Sequence, residues 1–266
     1  MHKKNVVILG MIVVCVITIL LFVVRGMNVD VFSKKMEHND GIPLAISSVG
    51  ETSVGTNVKA TFNGETGEVR IYSTSGIGTI DRWSLTSSFY DKCGKANIIS
   101  ITFQNKVYAP TNSSELFRDL TKLQVINNAN NLNVSKVINM WAMFCNCGTL
   151  KNIVGLSDWD VSSVTTMQEM FVNCRSLASI EDLSNWNVVT TMQSMFVSCS
   201  SLSSLDLSKW NVNNVINMIS MFNGCSGLTS IGDLSNWNVS KVKNMTYMFD
   251  SCRSLTSIGD LSNWNV

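Results

Sequence analysis

From residue 111 to the end of the chain, apolar side chains recur at nearly every third position. In one stretch they are Val161, Val164, Met167, Met170, Cys174, Leu177, Ile180, Leu183 and Trp186. A strand would alternate with period two and an α-helix with period 3.6, so neither pattern fits. A chain that turns continually about an inner axis dips inward at such short intervals. It would do so through short strands, turns and short helical turns.

The pattern is also periodic on a longer scale. A dipeptide ending in Phe marks six copies of one unit, at Phe117, Phe144, Phe171, Phe196, Phe222 and Phe249, spaced 27, 27, 25, 26 and 27 residues apart. Three residues after each Phe comes Leu120, Cys147, Cys174, Cys199, Cys225 or Cys252. Further on stands Leu132, Trp159, Trp186, Trp210, Trp237 or Trp264. A fixed period in the twenties is the mark of a solenoid, whose coils bury their apolar edges only by stacking. The first copy, with Leu in the Cys and Trp columns, reads as an opening coil. The fourth is shortened around Val188 and Val189, a local tightening.

These residues follow L-S-x-W-(N/D)-V-x-x-V-x-x-M-x-x-M-F-x-x-C-x-x-L, and the pattern resembles that of the BspA-type leucine-rich-repeat surface proteins of bacteria. The resemblance covers roughly 111–266, over half the chain. It implies a leucine-rich-repeat solenoid of about 25–27 residues per coil, displayed on a cell surface and engaged in adhesion. It implies no catalytic residues.

Upstream, the stretches VKATF (58–62) and EVRIY (68–72) alternate apolar with polar around a Gly-containing loop, a hairpin signal. A further strand pair is expected at 98–103 and 106–108, with Trp83, Phe89 and Tyr90 packing beneath. Residues 58–110 thus read as a β-rich N-terminal cap on the first coil. Residues 26–57 are polar, contain Gly41, Pro43, Gly50 and Gly55, and read as a stalk.

Residues 6–24 form an uncharged, mostly aliphatic run of 19 residues behind Lys3 and Lys4. As a helix it would span about 28 Å, close to the hydrocarbon thickness of a bilayer. The run is longer than a signal-peptide core and ends without an A-x-A cleavage pattern. Residues 1–25 are therefore expected to be an uncleaved signal-anchor, a single transmembrane helix holding the protein in the cell membrane. Cleavage would instead give a secreted product. Basic residues flank the span on both sides, and the family resemblance favours repeats outside the cell.

Charge narrows the function classes. The formal net charge is +1, and the repeats carry 9 Lys and Arg against 11 Asp and Glu. With no basic stripe, no nucleic-acid partner is expected. His2 and His38 both lie outside the repeats, so no Ser-His or Cys-His pair can form within them. No glycine-rich phosphate loop or metal-ligand spacing occurs either. The expectation is a protein that is not an enzyme and has no cofactor and no metal site.

The five repeat cysteines are expected to stack as buried thiols, since free Cys is among the most buried residue types. The ten repeat methionines and the Trp column read as core. Four Asn-x-Ser/Thr sequons begin at Asn112, Asn133, Asn238 and Asn244, and three of them are part of the repeat pattern itself.

One polar column stands out. Asp182, Asp206, Asp233 and Asp260 each lie four residues before a Trp, with Glu181 beside the first. Stacked like charges repel. Such a column must accept turn hydrogen bonds, bind cations or meet a basic partner, and these five acids form the candidate binding face. The function expected is that of a membrane-anchored surface protein whose solenoid binds an extracellular protein or glycan. The alternative is a self-assembling surface-layer component, because Val266 falls partway through the sixth coil and leaves an uncapped edge for self-association, unless the protein continues.

Overall fold

The computed structural model describes residues 46–181, 183–184, 186 and 190–264. The expected anchor at 6–24 lies outside these residues. Among the described residues no helix is long and apolar enough to cross a membrane.

Among the described residues nine short strands form one sheet: β1 Val49–Thr56, β2 Val58–Asn63, β3 Glu68–Ser73, β4 Gly78–Ile80, β5 Ser100–Phe103, β6 Val107–Tyr108, β7 Val125–Asn127, β8 Leu132–Asn133 and β9 Asn152–Ile153. Their order is β8-β6-β4-β1-β2-β3-β5-β7-β9. The expected hairpin is there, with β2 antiparallel to β3 from Val58↔Ser73 to Asn63↔Glu68. Alternation places Val58, Ala60, Phe62, Val69 and Ile71 in the core.

Three expectations need correction. Residues 26–57 were read as a stalk, yet β1 begins at Val49 and pairs with both β2 and β4. Its side chains are mostly exposed or half-buried, so it carries no apolar alternation for a sequence reading to detect. Residues 98–103 and 106–108 were read as partners, but β5 pairs in parallel with β3 and β7, and β6 with β4 and β8. Asn105 makes the corner between them. Its Oδ1 accepts the Ser73 N–H at 2.6 Å and its Nδ2 donates to the Ser73 carbonyl at 3.1 Å, which sends the chain across the coil instead of back along it. Finally, Phe89 and Tyr90 are buried, but Trp83 is 71% exposed. The helical turns at Ser84–Phe89 and Tyr90–Cys93 turn their apolar side inward and leave Trp83 outside.

The parallel pairings also join the cap to the repeats. The arms β3-β5-β7-β9 and β4-β6-β8 run from the hairpin into the first coils without a break at residue 110. A third ladder follows the Phe segments, as single parallel bridges Asn112↔Asn139↔Thr166↔Thr191↔Asn217↔Asn244.

Along this third side each coil is a run of tight turns. In the second coil the N–H groups of Met143, Cys145, Cys147 and Leu150 donate three residues back, at 3.0–3.2 Å. The alternate N–H groups, those of Met140, Ala142, Phe144 and Asn146, donate to the next coil at 2.8–3.0 Å. This geometry needs left-handed residues two before and two after each Phe. They are Glu115 and Asp119, Ala142 and Asn146, Glu169 and Asn173, Ser194 and Ser198 in the first four coils. Each left-handed L-residue costs roughly 1–2 kcal/mol. The cost is offset by the inter-coil hydrogen bond that its N–H then makes, which explains why Glu and Ala are tolerated there.

Stacking aligns the core. Phe117, Phe144, Phe171, Phe196, Phe222 and Phe249 form one column with centroids 5.2–5.6 Å apart and planes within 8°. Beside it each repeat thiol donates to the carbonyl of the preceding Phe. Cys147 reaches Phe117, Cys174 reaches Phe144, Cys199 reaches Phe171, Cys225 reaches Phe196 and Cys252 reaches Phe222, all at 3.0–3.2 Å. All seven described cysteines are free. Burial pushes their thiols up, Cys225 to about 12.

The shortened stretch of the fourth copy at 188–189 lies outside the described residues. The Phe column and the bridges through Thr191 pass it undisturbed. The indole N–H groups of Trp159, Trp237 and Trp264 donate to Ala129, Leu207 and Leu234 carbonyls at 2.9–3.2 Å. Those of Trp186 and Trp210, on either side of the short stretch, are buried without an acceptor among the described residues.

Candidate interaction face

The acidic column lies on the turn before each Trp, and its carboxylates have local work. Asp206, Asp233 and Asp260 accept the N–H of Ser208, Ser235 and Ser262 at 2.9 Å, an Asx-turn closed two residues on. The hydrogen bonds from Ser208 hold the Asp206 carboxyl below the usual carboxylate value. Asp182 lies outside the described residues.

Each turn also leans on the next coil. A Cβ on Gly232 would collide with Asp206 Oδ1, and one on Gly259 with Asp233 Oδ1. Both glycines have left-handed φ, +78° and +83°. The Gly-Asp pairs of the last two coils are thus packing requirements as well as turn signals.

Glu181 works differently. The second coil has Gly155 where later coils have Asp, so its turn lacks an acceptor of its own. Glu181 supplies one from the third coil, accepting from Gly155 N–H at 3.0 Å and Ser157 N–H at 2.9 Å. Burial pushes this carboxyl up, but the backbone donors outweigh it and the net shift is downward. The four described acids are therefore not an unpaired charge ladder. Asp206, Asp233 and Asp260 remain exposed at the surface.

The sequons have the same explanation. Asn112, Asn133, Asn238 and Asn244 each accept the N–H of the Ser or Thr two residues on, at 2.9–3.2 Å. Asn-x-Ser/Thr is here a turn signature.

A second face, missed by the sequence reading, lies outside the Phe ladder. In each coil the residues three and two before Phe, and one and two after it, flank the Phe column, and most are half-buried, though Ser114, Ala142 and Cys145 are buried. In the third coil these are Gln168, Glu169, Val172 and Asn173, all half-buried. Side chains on this face hold one another: Asn146 Nδ2 donates to Asp119 at 2.7 Å, Asn173 Nδ2 to Asn146 at 2.9 Å, and Asn217 Nδ2, at the edge, to Gln193 at 2.9 Å. Arg118 lies 5.6 Å from the ring centroid of Trp141 and pairs with Glu115 at 2.7 Å. The signal that could have found the face is variation. These positions change from coil to coil, while the Met, Phe and Cys positions beside them barely do.

No group of three or more potential metal ligands occurs among the described residues. At the last described coil, Phe249, Cys252, Leu255 and Ile258 line a shallow hollow of about 290 Å³.

Among known proteins, no curated sequence matches the chain. A crystal structure of a leucine-rich repeat protein from Eubacterium ventriosum is similar at 10% identity, covering 79% of this chain and 77% of that one, with a TM-score of 0.22. A protein family matches residues 111–204 and 178–266, together more than half the chain. The chain belongs to that family, described as Mycoplasma protein of unknown function, DUF285.

Proposed function

We propose that this chain is a membrane-anchored surface protein whose solenoid binds proteins or glycans outside the cell. The observation that carries the reading is the contrast within each coil. Inward columns are nearly invariant and stacked, whereas outward positions on the same rigid rungs differ from coil to coil. Repeat proteins bind through such extended faces, built from equivalent positions on successive coils. The apolar run at 6–24 supplies the anchor, and the repeat resemblance favours the surface. The test is binding of the purified full chain, reconstituted in lipid, to immobilised extracellular-matrix proteins and glycans. Saturable retention above that of empty vesicles supports the reading, and retention no greater than theirs on every surface contradicts it.

A further inference from the structure

We propose that the outer face of the Phe ladder, in coils two to five, binds an extended neutral polysaccharide lying along the solenoid axis. The inference rests on the surface-binding reading above and names its site and ligand class. Across these four coils the sixteen positions, of which Ala142 and Cys145 are buried, include a single charged residue, Glu169. The others are amides such as Gln168, Asn173, Gln193 and Asn223, small hydroxyl residues, and apolar side chains such as Val172 and Val197. Charges gather at the two ends of the face, on Arg118 and Asp119 in the first coil and Asp250 in the sixth. A neutral surface has no attraction for a polyanion or a strongly basic protein.

Its polar groups suit hydroxyls. Each amide has two N–H donors and a carbonyl oxygen with two lone pairs. Here Asn146 and Asn173 are held in a row by one amide hydrogen bond, and Gln168 Nε2 is held by Glu169 at 3.0 Å. Asn146 is held on both sides, by Asp119 and Asn173, whereas Asn173 and Gln168 are held through their N–H group alone, so their carbonyl oxygens are already oriented, which lowers the entropic cost of binding. Half-buried Val172 and Val197 lie between these amide columns as an apolar strip, suited to the C–H face of a sugar ring.

Repeat length decides between polymers. Phe ring centroids of successive coils two to five stand 5.3–5.4 Å apart, which sets the repeat of the face. An extended polypeptide repeats its side chains on one face every ~6.7 Å, and would drift about a full coil out of register over four coils. A pyranose unit in an extended chain advances by close to one coil, so each ring meets equivalent groups.

The experiment measures retention of the lipid-reconstituted full chain on neutral α- and β-linked polysaccharides, with hyaluronate as the anionic control and a basic protein as the alternative ligand. Retention on a neutral polymer is expected, unchanged between about 50 and about 500 mM salt. Combining Gln168→Ala with Gln193→Ala should weaken it about tenfold, from two lost hydrogen-bonding groups. Asp206→Asn with Asp233→Asn should leave it unchanged. Gln193→Lys, a single change at a half-buried position, gives a second measure should the double variant fail to fold, and is also expected to weaken retention. No retention on any neutral polymer, or retention indifferent to the Gln changes, overturns the proposal. Binding only to the basic protein, lost on the Asp changes, overturns it while leaving the surface-binding reading standing.

Discussion

Glu181, in the third coil, closes the turn around Ser157 in the second. Its Oε2 accepts the Ser157 N–H at 2.9 Å, taking the place that Asp206, Asp233 and Asp260 fill within their own coils. A residue that looked like part of an acidic binding stripe is thereby an inter-coil brace.

Glu181→Ala should therefore destabilise the chain by about 1–2 kcal/mol, the cost of leaving two N–H groups without their charged acceptor. The effect should depend on pH. The folded-state carboxyl lies below its usual 4.5, so its contribution is fully present above that unfolded-state value and is lost as pH falls through the depressed folded value. Urea midpoints of wild type and variant should differ at pH 7 and converge in acid. A gap that persists in strong acid would mean that the carboxylate charge is irrelevant.

Gly232 and Asp206 should be coupled. Gly232→Ala places a Cβ against Asp206 Oδ1 at a left-handed position, and should cost upwards of about 1 kcal/mol. Asp206→Ala loses the hydrogen bond to Ser208 at about 1 kcal/mol. Together they should cost less than their sum, because the second change removes the atom the first collides with. Strict additivity in a double-mutant cycle would contradict the packing.

Trp186 and Trp237 occupy equivalent positions but should respond differently to replacement by Phe. Trp237 loses a hydrogen bond to Leu207, whereas the indole N–H of Trp186 has no acceptor among the described residues to lose. Trp237→Phe should be the more destabilising by about 1 kcal/mol in thermal or urea unfolding. Equal losses would place an acceptor on Trp186.

Cys147, Cys174, Cys199 and Cys225 should stay reduced and react with alkylating agents only after denaturant is added, since burial both shields them and raises them toward the thiol form, while half-buried Cys252 should react first. Cys199→Ser should be milder than burial of an unpartnered hydroxyl implies, because the Phe171 carbonyl at 3.1 Å can accept from serine as it does from the thiol. The expected loss is about 1 kcal/mol. Rapid alkylation of the four buried thiols in the native chain would show that the column is open.

The columns were readable because stacking maps one repeat position onto one line: Phe144, Cys147 and Trp159 recur as Phe171, Cys174 and Trp186 in the next copy. The hairpin was readable from the alternation at Val58, Ala60 and Phe62. Strand β1 was not, because Thr52 and Ser53 carry no apolar pattern and are placed by partners elsewhere in the sheet. Left-handed Ala142 and Glu169 were not either, since nothing in those side chains favours positive φ and only the next coil's carbonyls enforce it. The candidate face was half legible. Alignment of the Asp residues followed from the period, but their local hydrogen bonds follow from a turn that period alone does not specify.

The central claim, that the repeats stand outside the cell, is tested most directly by cysteine labelling of intact cells. Asp233 is exposed, Cys147, Cys174, Cys199 and Cys225 are buried and Cys252 is half-buried, so Asp233→Cys made in a Cys252→Ala chain introduces one reactive thiol into the solenoid. A membrane-impermeant maleimide should label this variant on intact cells while the Cys252→Ala chain stays unlabelled. Labelling of Asp233→Cys only after lysis would place the solenoid inside and contradict the account.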